Sequence, residues 1–507
     1  MRRTEASASV RCTLALVTVV ELGLYALLLA FAAAAVWRKP VAALYLYLVG
    51  LALHNAAMAA LYTAGVRGST LTAIAAWKEI LIAVALAHVA LGAARERRLP
   101  FRPQLADWLA LAFGALACVY ALIPQSTLGG HAGTHAVALA LRHDVIPVAA
   151  YFLGRSLQLE RDDLRRLALT LLGVAGVVAA VGLVDVYLVP IGWWRTNGVV
   201  DYFHRQLGYH YHGTGENPSV AGLPENFIFN VGGDKPFLRR LVSTFLSPLA
   251  SGYLFVVALL VAAAALRRRA AVLVLAAVTV AGLLWTFSRA SLLALAAGLV
   301  VLAAVRRSPP VFGAAVLTVA VAVGWAHLFP RIAPTGNWTK ADLTYQEARA
   351  KRLGGGGGNI SATSASEPSL HSHWISLREG ARTVIHHPQG FGLGNVGQTA
   401  SRTNTKLLAG ESNYTELGVE LGLFGSLLWI TWGFAVLGGL ARGARAEPLA
   451  AGMVAAFAAV LVLAIQTDVI GDPWVAYCVW GLAGALALRT RPEKRLAGVG
   501  ARAVPSA

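Results

Sequence analysis

The chain has 507 residues, of which 57% are hydrophobic and only 13% are charged, and its mean hydropathy is +0.61. Soluble domains carry about 25% charged residues, so this composition excludes an ordinary soluble domain. The formal net charge is +18, from 43 Lys and Arg against 25 Asp and Glu. A basic excess is expected of cytoplasmic loops and lipid headgroup contact, and no basic-aromatic module indicates nucleic-acid binding.

Apolar runs long enough to cross a hydrocarbon layer of about 30 Å recur along the chain and predict an all-α polytopic membrane protein with about 12–13 transmembrane helices. The predicted spans are 12–36, 40–66, 70–94, 105–123, 136–157, 167–190, 241–266, 271–287, 290–305, 310–330, 415–441, 448–470 and 473–488. The first run lacks a small-residue cleavage site and is interpreted as a retained span. Thirteen spans with a cytoplasmic C-terminus would place Met1 outside, so twelve spans remain an alternative.

Basic clusters alternate with the spans in the way that a membrane topology requires. They lie at 95–98, 161–166, 267–269, 306–307, 442–445 and 489–495. If all of them are cytoplasmic, the two long polar segments face the periplasm together. The predicted organisation is therefore N-terminal helices (1–190), a first periplasmic loop (191–240), transmembrane helices (241–330), a large, partly helical periplasmic loop with a Gly-rich insert (331–414), C-terminal helices (415–490) and a cytoplasmic tail (491–507).

Several ionisable residues lie inside or at the ends of spans, where charge is costly and often functional. They are Lys78, Glu79, Arg142, His143, Asp144, Asp185, Asp468 and Asp472. Pairing into structural ion pairs is the alternative interpretation, particularly for Lys78 with Glu79 and for Arg142 with Asp144.

Two arginines are placed where a lipid headgroup would arrive. Arg240 precedes the span 241–266, and Arg289 lies in the tight connection between two apolar helices. Together with Arg239 they would supply permanent cations whose rigid forks bind phosphate oxygens bidentately. Arginines that only extend toward the membrane surface are the alternative.

The segment from His386 to Asn395 contains three glycines at alternate positions after a proline. Such a backbone exposes amides that could approach an oxyanion, and we expect Gly392 and Gly394 to do so. A plain surface turn is the alternative. The histidines nearby, including His371 and His373, lack zinc-ligand spacing, and the outer loops contain no Asp-x-Asp pair, so we predict no metal and no cofactor.

Four motifs together resemble the O-antigen ligase and O-antigen polymerase superfamily. They are Arg-x-x-x-Thr-Phe-x-x-Pro from Arg240, Ser-Arg-Ala-x-Leu around Arg289, His-Pro-x-Gly-x-Gly-x-Gly-Asn from His387, and Asn-Tyr-x-x-Leu-x-x-Glu-Leu-Gly-Leu-x-Gly from Asn413. The ligase signature is a histidine, then Asn, Ser or Gln, nine residues and Gly-x-x-Gly. This chain has Glu411 at the histidine position, followed by Ser412 and, after the nine residues 413–421, Gly422 to Gly425.

The resemblance implies an enzyme of the bacterial inner membrane whose active site faces the periplasm. Such an enzyme transfers a glycan from undecaprenyl diphosphate to an acceptor hydroxyl, with inversion and without a metal. The acceptor is a lipid A-core sugar for a ligase and another lipid-linked repeat for a polymerase. The resemblance assigns catalysis to Arg240, Arg289 and Glu411. The wider set of residues expected to bind substrate is Arg239, Ser412, Asn413, Tyr414, His371, His373, Gly392 and Gly394.

Other interpretations remain open at this point. A transporter of lipid-linked saccharides would use the same basic cavity and the charges at Arg142, Asp144 and Asp185. A structural scaffold would leave the aligned outer charges unexplained. The spacing of Asn413 and Glu416 predicts that Asn413 caps the helix that follows, with Glu411 just outside it as a candidate base or as a favourable charge at the helix end.

Overall fold

The computed structural model describes residues 22–209, 222–224, 226–230, 235–267, 269–344, 368–408, 412–445 and 447–487, with side chains from residue 373 onward in the segment that begins at 368. It is about 77% helical and almost free of strands. Nine helices within these ranges are long and apolar enough to cross a membrane. The predicted class, an all-α polytopic membrane protein, is confirmed at this level.

The helices follow the predicted spans closely, and each predicted span overlaps one of them. The first part of the chain forms α1 (Leu22–Arg38), α2 (Val41–Thr63), α3 (Gly68–Ala75), α4 (Trp77–Glu96), α5 (Leu105–Leu122), α6 (Thr134–Ser156), α7 (Arg161–Leu188), α8 (Ile191–Thr196) and α9 (Val199–Asp201). The second part forms α10 (Pro248–Ala265), α11 (Ala270–Trp285), α12 (Arg289–Arg306), α13 (Pro309–Ile332), α14 (Pro368–His386), α15 (Gly397–Arg402), α16 (Asn413–Gly443), α17 (Pro448–Leu463) and α18 (Val475–Leu486). The helices α1, α11, α17 and α18 are shorter than the nine long ones.

Two helices, α10 and α17, form the centre of the bundle and are buried along nearly their whole lengths. They pack against each other, and α12 packs against both. Small residues allow this close approach, since a side chain at Gly452 would meet the Cα of Val261 at 2.8 Å. Because lipid offers no hydrophobic drive for helix association, such close backbone packing is what holds membrane helices together.

The two long polar segments meet at one end of the bundle through a small antiparallel sheet. Its strands are β1 (Ile228–Phe229), β2 (Phe237–Arg239) and β3 (Thr335–Gly336), in the order β1-β2-β3. The first two strands belong to the first polar segment and the third to the second, so both segments lie at the same end. We call this the sheet end.

Arginines cluster at the opposite end, to which α10 leads. One pocket there is lined by Arg161, Arg165, Arg267, Arg269 and Glu447. The connections that precede α7, follow α10 and precede α17 therefore lie together, as the alternation of basic clusters and spans predicts. We call this the basic end.

Candidate functional site

Arg240 and Arg289 lie near each other at the sheet end. Arg240 follows β2, and its Nε donates to the Thr286 carbonyl at 2.8 Å. Arg289 opens α12, whose first turn is capped by Ser288, and its guanidinium lies 5.8 Å from the centre of the Phe229 ring. Burial and then the positive charge of Arg289 lower the pKa of Arg240 to about 10, so Arg240 still carries its charge at neutral pH. The sequence prediction placed these two cations together, and the structure brings them together.

Arg239 does not join this pair, which corrects the prediction for that residue. Its side chain is buried, and its Nη2 lies 3.5 Å from Asp185 Oδ1. Its Nη1 donates to the Val189 carbonyl at 2.6 Å, while Trp194 donates to the same carboxylate. The charge of Arg239 is thus balanced inside the protein and does not face an arriving headgroup. The same Asp185 Oδ1 atom accepts Trp194 Nε1 at 2.7 Å.

His143 lies between two carboxylates in the bundle. Its Nδ1 is 2.9 Å from Asp144 Oδ1, and its Nε2 is 3.1 Å from Asp468 Oδ1. An ionised carboxylate can only accept a hydrogen bond, so either both ring nitrogens carry hydrogen or one of the two acids is protonated. Glu416 and Glu420 interact electrostatically with this group, so four acids surround one imidazole.

Asp468 lies in the connection between α17 and α18 and is held by several donors. It accepts the Gly471 N–H at 2.8 Å and Asn413 Nδ2 at 2.7 Å. Burial alone would raise the pKa of Asp468, but His143 and these hydrogen bonds lower it more, so the net pKa lies below its usual value. Asp468 is therefore a carboxylate near neutral pH.

The prediction that Asn413 caps α16 is wrong. Ser412 is the residue before the first helical turn, and Asn413 is already inside the helix. The carboxamide of Asn413 turns instead to the connection between α17 and α18, where its Oδ1 accepts the N–H groups of Val469 at 2.7 Å and Ile470 at 3.2 Å. A side chain that satisfies three groups of another segment fixes that segment, including Asp468, against α16.

Ser412 and Tyr414 bond to the end of α17. Ser412 Oγ donates to the Ala464 carbonyl at 3.0 Å, and the Tyr414 hydroxyl donates to the Leu461 carbonyl at 2.7 Å. Both hydroxyls were predicted to contact substrate. In the structure they tie the start of α16 to α17.

The glycine-rich loop is buried, so its predicted role as an exposed anion-binding backbone is corrected. The Gly392 N–H donates to the Glu420 carbonyl at 3.0 Å, and the Gly394 N–H donates to Glu420 Oε1 at 2.8 Å. Asn395 is fully buried and accepts the His131 N–H at 2.7 Å. The amides that were expected to bind an oxyanion are therefore used to hold the loop on α16.

Two of the predicted site residues cannot be placed in this geometry. Glu411 lies outside the described residues, as does the side chain of His371. His373 is half-buried on α14, which packs against α16. Within the described residues, no group of three His, Cys, Asp or Glu side chains is arranged to hold a metal ion.

A pocket opens beside His143 and Asp468. The sequence analysis did not predict that its lining residues come together. Lys78 Nζ lies 3.6 Å from Glu79 Oε2, and Arg142 Nη1 lies 3.6 Å from Glu79 Oε1. The polar residues of the lining are Lys78, Glu79, Arg142, His143, Gln398, Thr399, Arg402, Asp468 and Tyr477. The sequence indicated the charged residues of this pocket only as ionisable groups inside predicted spans. Spacing along the chain gave no means of joining α4, α6, α15 and the 464–474 connection.

Tyr253 links this pocket to the arginine pair. Its hydroxyl is buried near the start of α10 and interacts electrostatically with Arg240 and with Asp468. Arg240 and Asp468 thus both act on one tyrosine hydroxyl.

No family model and no curated protein matches the chain. The residues around Tyr253 and the motif resemblance are therefore what bears on function.

Proposed function

We propose that the protein is an O-antigen ligase-like glycosyltransferase that moves a glycan from undecaprenyl diphosphate to an acceptor hydroxyl. The observation that carries the proposal is that Tyr253 interacts electrostatically both with Arg240, the neighbour of Arg289, and with Asp468. Transfer from a diphosphate needs cations where the leaving group departs and a base where the acceptor attacks. Both kinds of group are found at the sheet end.

The two guanidinium groups have the chemistry for the donor side of the reaction. When the bond between the sugar C1 and the phosphate oxygen breaks, the electron pair leaves with the diphosphate. Guanidinium groups bind phosphate oxygens bidentately and stay charged, so they stabilise that developing charge. The attacking oxygen forms the new bond to C1 from the opposite face, and its proton passes to a basic side chain. The configuration at C1 is inverted, and the proposed chemistry uses no metal or cofactor.

The acceptor distinguishes two versions of this proposal. A lipid A-core sugar as acceptor would make the protein a ligase of lipopolysaccharide biosynthesis. A second lipid-linked repeat would make it a polymerase. Both versions use the arginine pair in the same way.

A transporter of lipid-linked saccharides is the second candidate, and two observations favour it. Charged residues lie inside α4 and α6, and the span that contains α4 is interrupted at Ala76, between α3 and α4. Transporters bind substrate near the middle of the membrane on broken helices.

The proposed location is the bacterial inner membrane, with the sheet end in the periplasm. Lys and Arg are enriched in cytoplasmic loops, so the basic end is assigned to the cytoplasm. Membrane lipids then contact the exposed apolar faces of the outer helices. The two polar segments 191–240 and 331–414 are the proposed periplasmic loops of a protein with about 12–13 spans.

Cysteines introduced at Asn217 and Ser361 are therefore expected to react with an impermeant thiol reagent applied from the periplasmic side. Both positions lie in the polar segments and outside the described residues. A cysteine at Arg165, at the basic end, is the control and should react only after the membrane is opened. The native Cys12, Cys118 and Cys478 are first replaced. Labelling of only one of the two outer positions would contradict the shared orientation.

The direct test of the function is a transfer assay with purified protein. A lipid diphosphate-linked glycan is incubated with the protein and with a lipid A-core oligosaccharide or a second lipid-linked glycan. We expect release of undecaprenyl diphosphate and a product whose new linkage has the inverted configuration, also with a chelator present. Product with the first acceptor indicates a ligase, and product with the second indicates a polymerase. An unchanged donor with both acceptors would contradict the proposal.

A further inference from the structure

The pocket beside His143 presents a carboxylate oxygen that is only lightly used. Asp468 Oδ1 receives hydrogen bonds from Asn413, Gly471 and His143. Within the described residues, Asp468 Oδ2 has one hydrogen-bond contact, with His143 Nε2 at 3.2 Å. Asp468 lines the pocket, so its carboxylate has acceptor capacity left at the pocket wall.

We infer that this pocket binds the acceptor sugar and that the Asp468 carboxylate takes the proton of its attacking hydroxyl. The inference rests on the proposed function and names its acceptor site and its base. Inverting glycosidases likewise use a carboxylate to deprotonate the oxygen that attacks from the face opposite the leaving group.

The composition of the pocket fits a polyhydroxylated ligand. Glu79 lies between Lys78 and Arg142, so two of the three cations in the lining are already balanced by an acid. The third, Arg402, uses its Nε to hold the Leu207 carbonyl at 2.8 Å. The lining combines two acids, three cations, an imidazole, a carboxamide and two hydroxyl groups, so it offers both donors and acceptors. Sugar hydroxyl groups both donate and accept, whereas a phosphate would need a surplus of donors.

The reaction step balances without another reactant. The acceptor O–H bond breaks as its oxygen bonds to the donor C1, and the C1–O bond to the diphosphate breaks. The proton moves to Asp468 Oδ2, and the electron pair leaves with the diphosphate, close to Arg240 and Arg289. Asp468 is restored when its proton passes to water.

Asp144 acts in this scheme as a positioning residue. It is fully buried and does not line the pocket, but its Oδ1 bonds to His143 Nδ1. This bond aims the opposite ring nitrogen at Asp468. The imidazole in turn keeps the carboxylate of Asp468 at the pocket wall.

Asp468→Asn and Asp468→Ala test the inference, with Asp472→Asn as the matched control. Asp472 lies four residues further along the same connection, where it accepts the Val475 N–H at 3.1 Å and does not line the pocket. We expect Asp468→Asn to lower kcat by about 10²–10⁴-fold, as for the loss of a general base, with donor binding unchanged. We expect Asp472→Asn to transfer at close to the wild-type rate. Donor binding is measured separately, with a radiolabelled lipid diphosphate-linked glycan.

Chemical rescue separates a base from a structural residue. Formate added to Asp468→Ala should restore part of the transfer rate, because a small carboxylate can occupy the space of the missing side chain. Formate should not change the rate of Arg240→Lys.

No rescue, or an Asp468→Asn rate within threefold of the wild-type rate, would overturn the inference while wild-type transfer still supports the proposed function. Rescue of Glu411→Ala by formate, with Asp468→Asn active, would assign the base to Glu411 instead. Absence of transfer by the wild-type protein would overturn both proposals.

Discussion

Replacing Arg240 or Arg289 by lysine is expected to lower the glycan transfer rate by about 10²–10³-fold, which is the usual loss when one stabilising donor at a developing anion is removed. Lysine keeps the positive charge but not the planar fork that holds two phosphate oxygens. At Arg240 it also removes the hydrogen bond from Nε to the Thr286 carbonyl. The measurement is the initial rate of product formation at saturating donor, per mole of monodisperse protein.

Arg239→Lys is the matched control, since Arg239 adjoins Arg240 in sequence and its guanidinium is committed to Asp185. A lysine there can still pair with the carboxylate. We expect a lower thermal stability in detergent and a transfer rate per folded molecule close to that of the wild type. If all three variants lose the same fraction of activity, the loss is structural and the assignment of the leaving-group site to Arg240 and Arg289 fails.

Gly422→Ala is expected to destabilise the protein by about 2–6 kcal/mol, as the sum of a strained backbone and an overfilled contact. Gly422 lies at a kink inside α16 with φ 75° and ψ 175°, a conformation that is essentially restricted to glycine. A side chain at this position would also meet the Pro388 carbonyl, and Gln389 at 2.8 Å. The expected cause of the loss is therefore separation of the glycine-rich loop from the kink.

The stability of this variant is measured as the fraction of monodisperse protein that remains after heating in detergent. Gly438→Ala is the control, because Gly438 lies on the same helix with open space around it. The control should be neutral or slightly stabilising, since alanine favours a helix more than glycine does. Equal heat resistance of Gly422→Ala and Gly438→Ala would show that the kink is not held in the way described.

The membrane helices could be predicted from sequence because hydropathy along the chain is a local property. Each predicted span overlaps an observed helix, and the positions of Arg240 and Arg289 at the mouths of their spans followed from those boundaries. Arg239 could not be separated from Arg240 in the same way. Its partner, Asp185, lies 54 residues earlier, and no local pattern shows which of two adjacent arginines turns inward.

The candidate site was harder to predict, because its contacts join residues that are distant in the sequence. Asn413 and Glu416 have the spacing of a capping box, but tertiary hydrogen bonds to Val469 and Ile470 override that local preference. The glycines at 390–394 were interpreted as an exposed turn, whereas they permit close burial against Glu420. The pocket is assembled from α4, α6, α15 and the 464–474 connection, and only packing brings these segments together.

The most direct test of glycan transfer is to follow one lipid diphosphate-linked glycan in sealed proteoliposomes that contain the wild-type protein. The donor carries a label in its sugar, and an acceptor glycan is supplied on the side that the sheet end faces. We expect the label to move covalently to the acceptor, with inversion at C1, and undecaprenyl diphosphate to accumulate. Movement of the intact labelled lipid from one leaflet to the other, with no glycan transferred, would contradict the proposed glycan transfer and would favour the transporter.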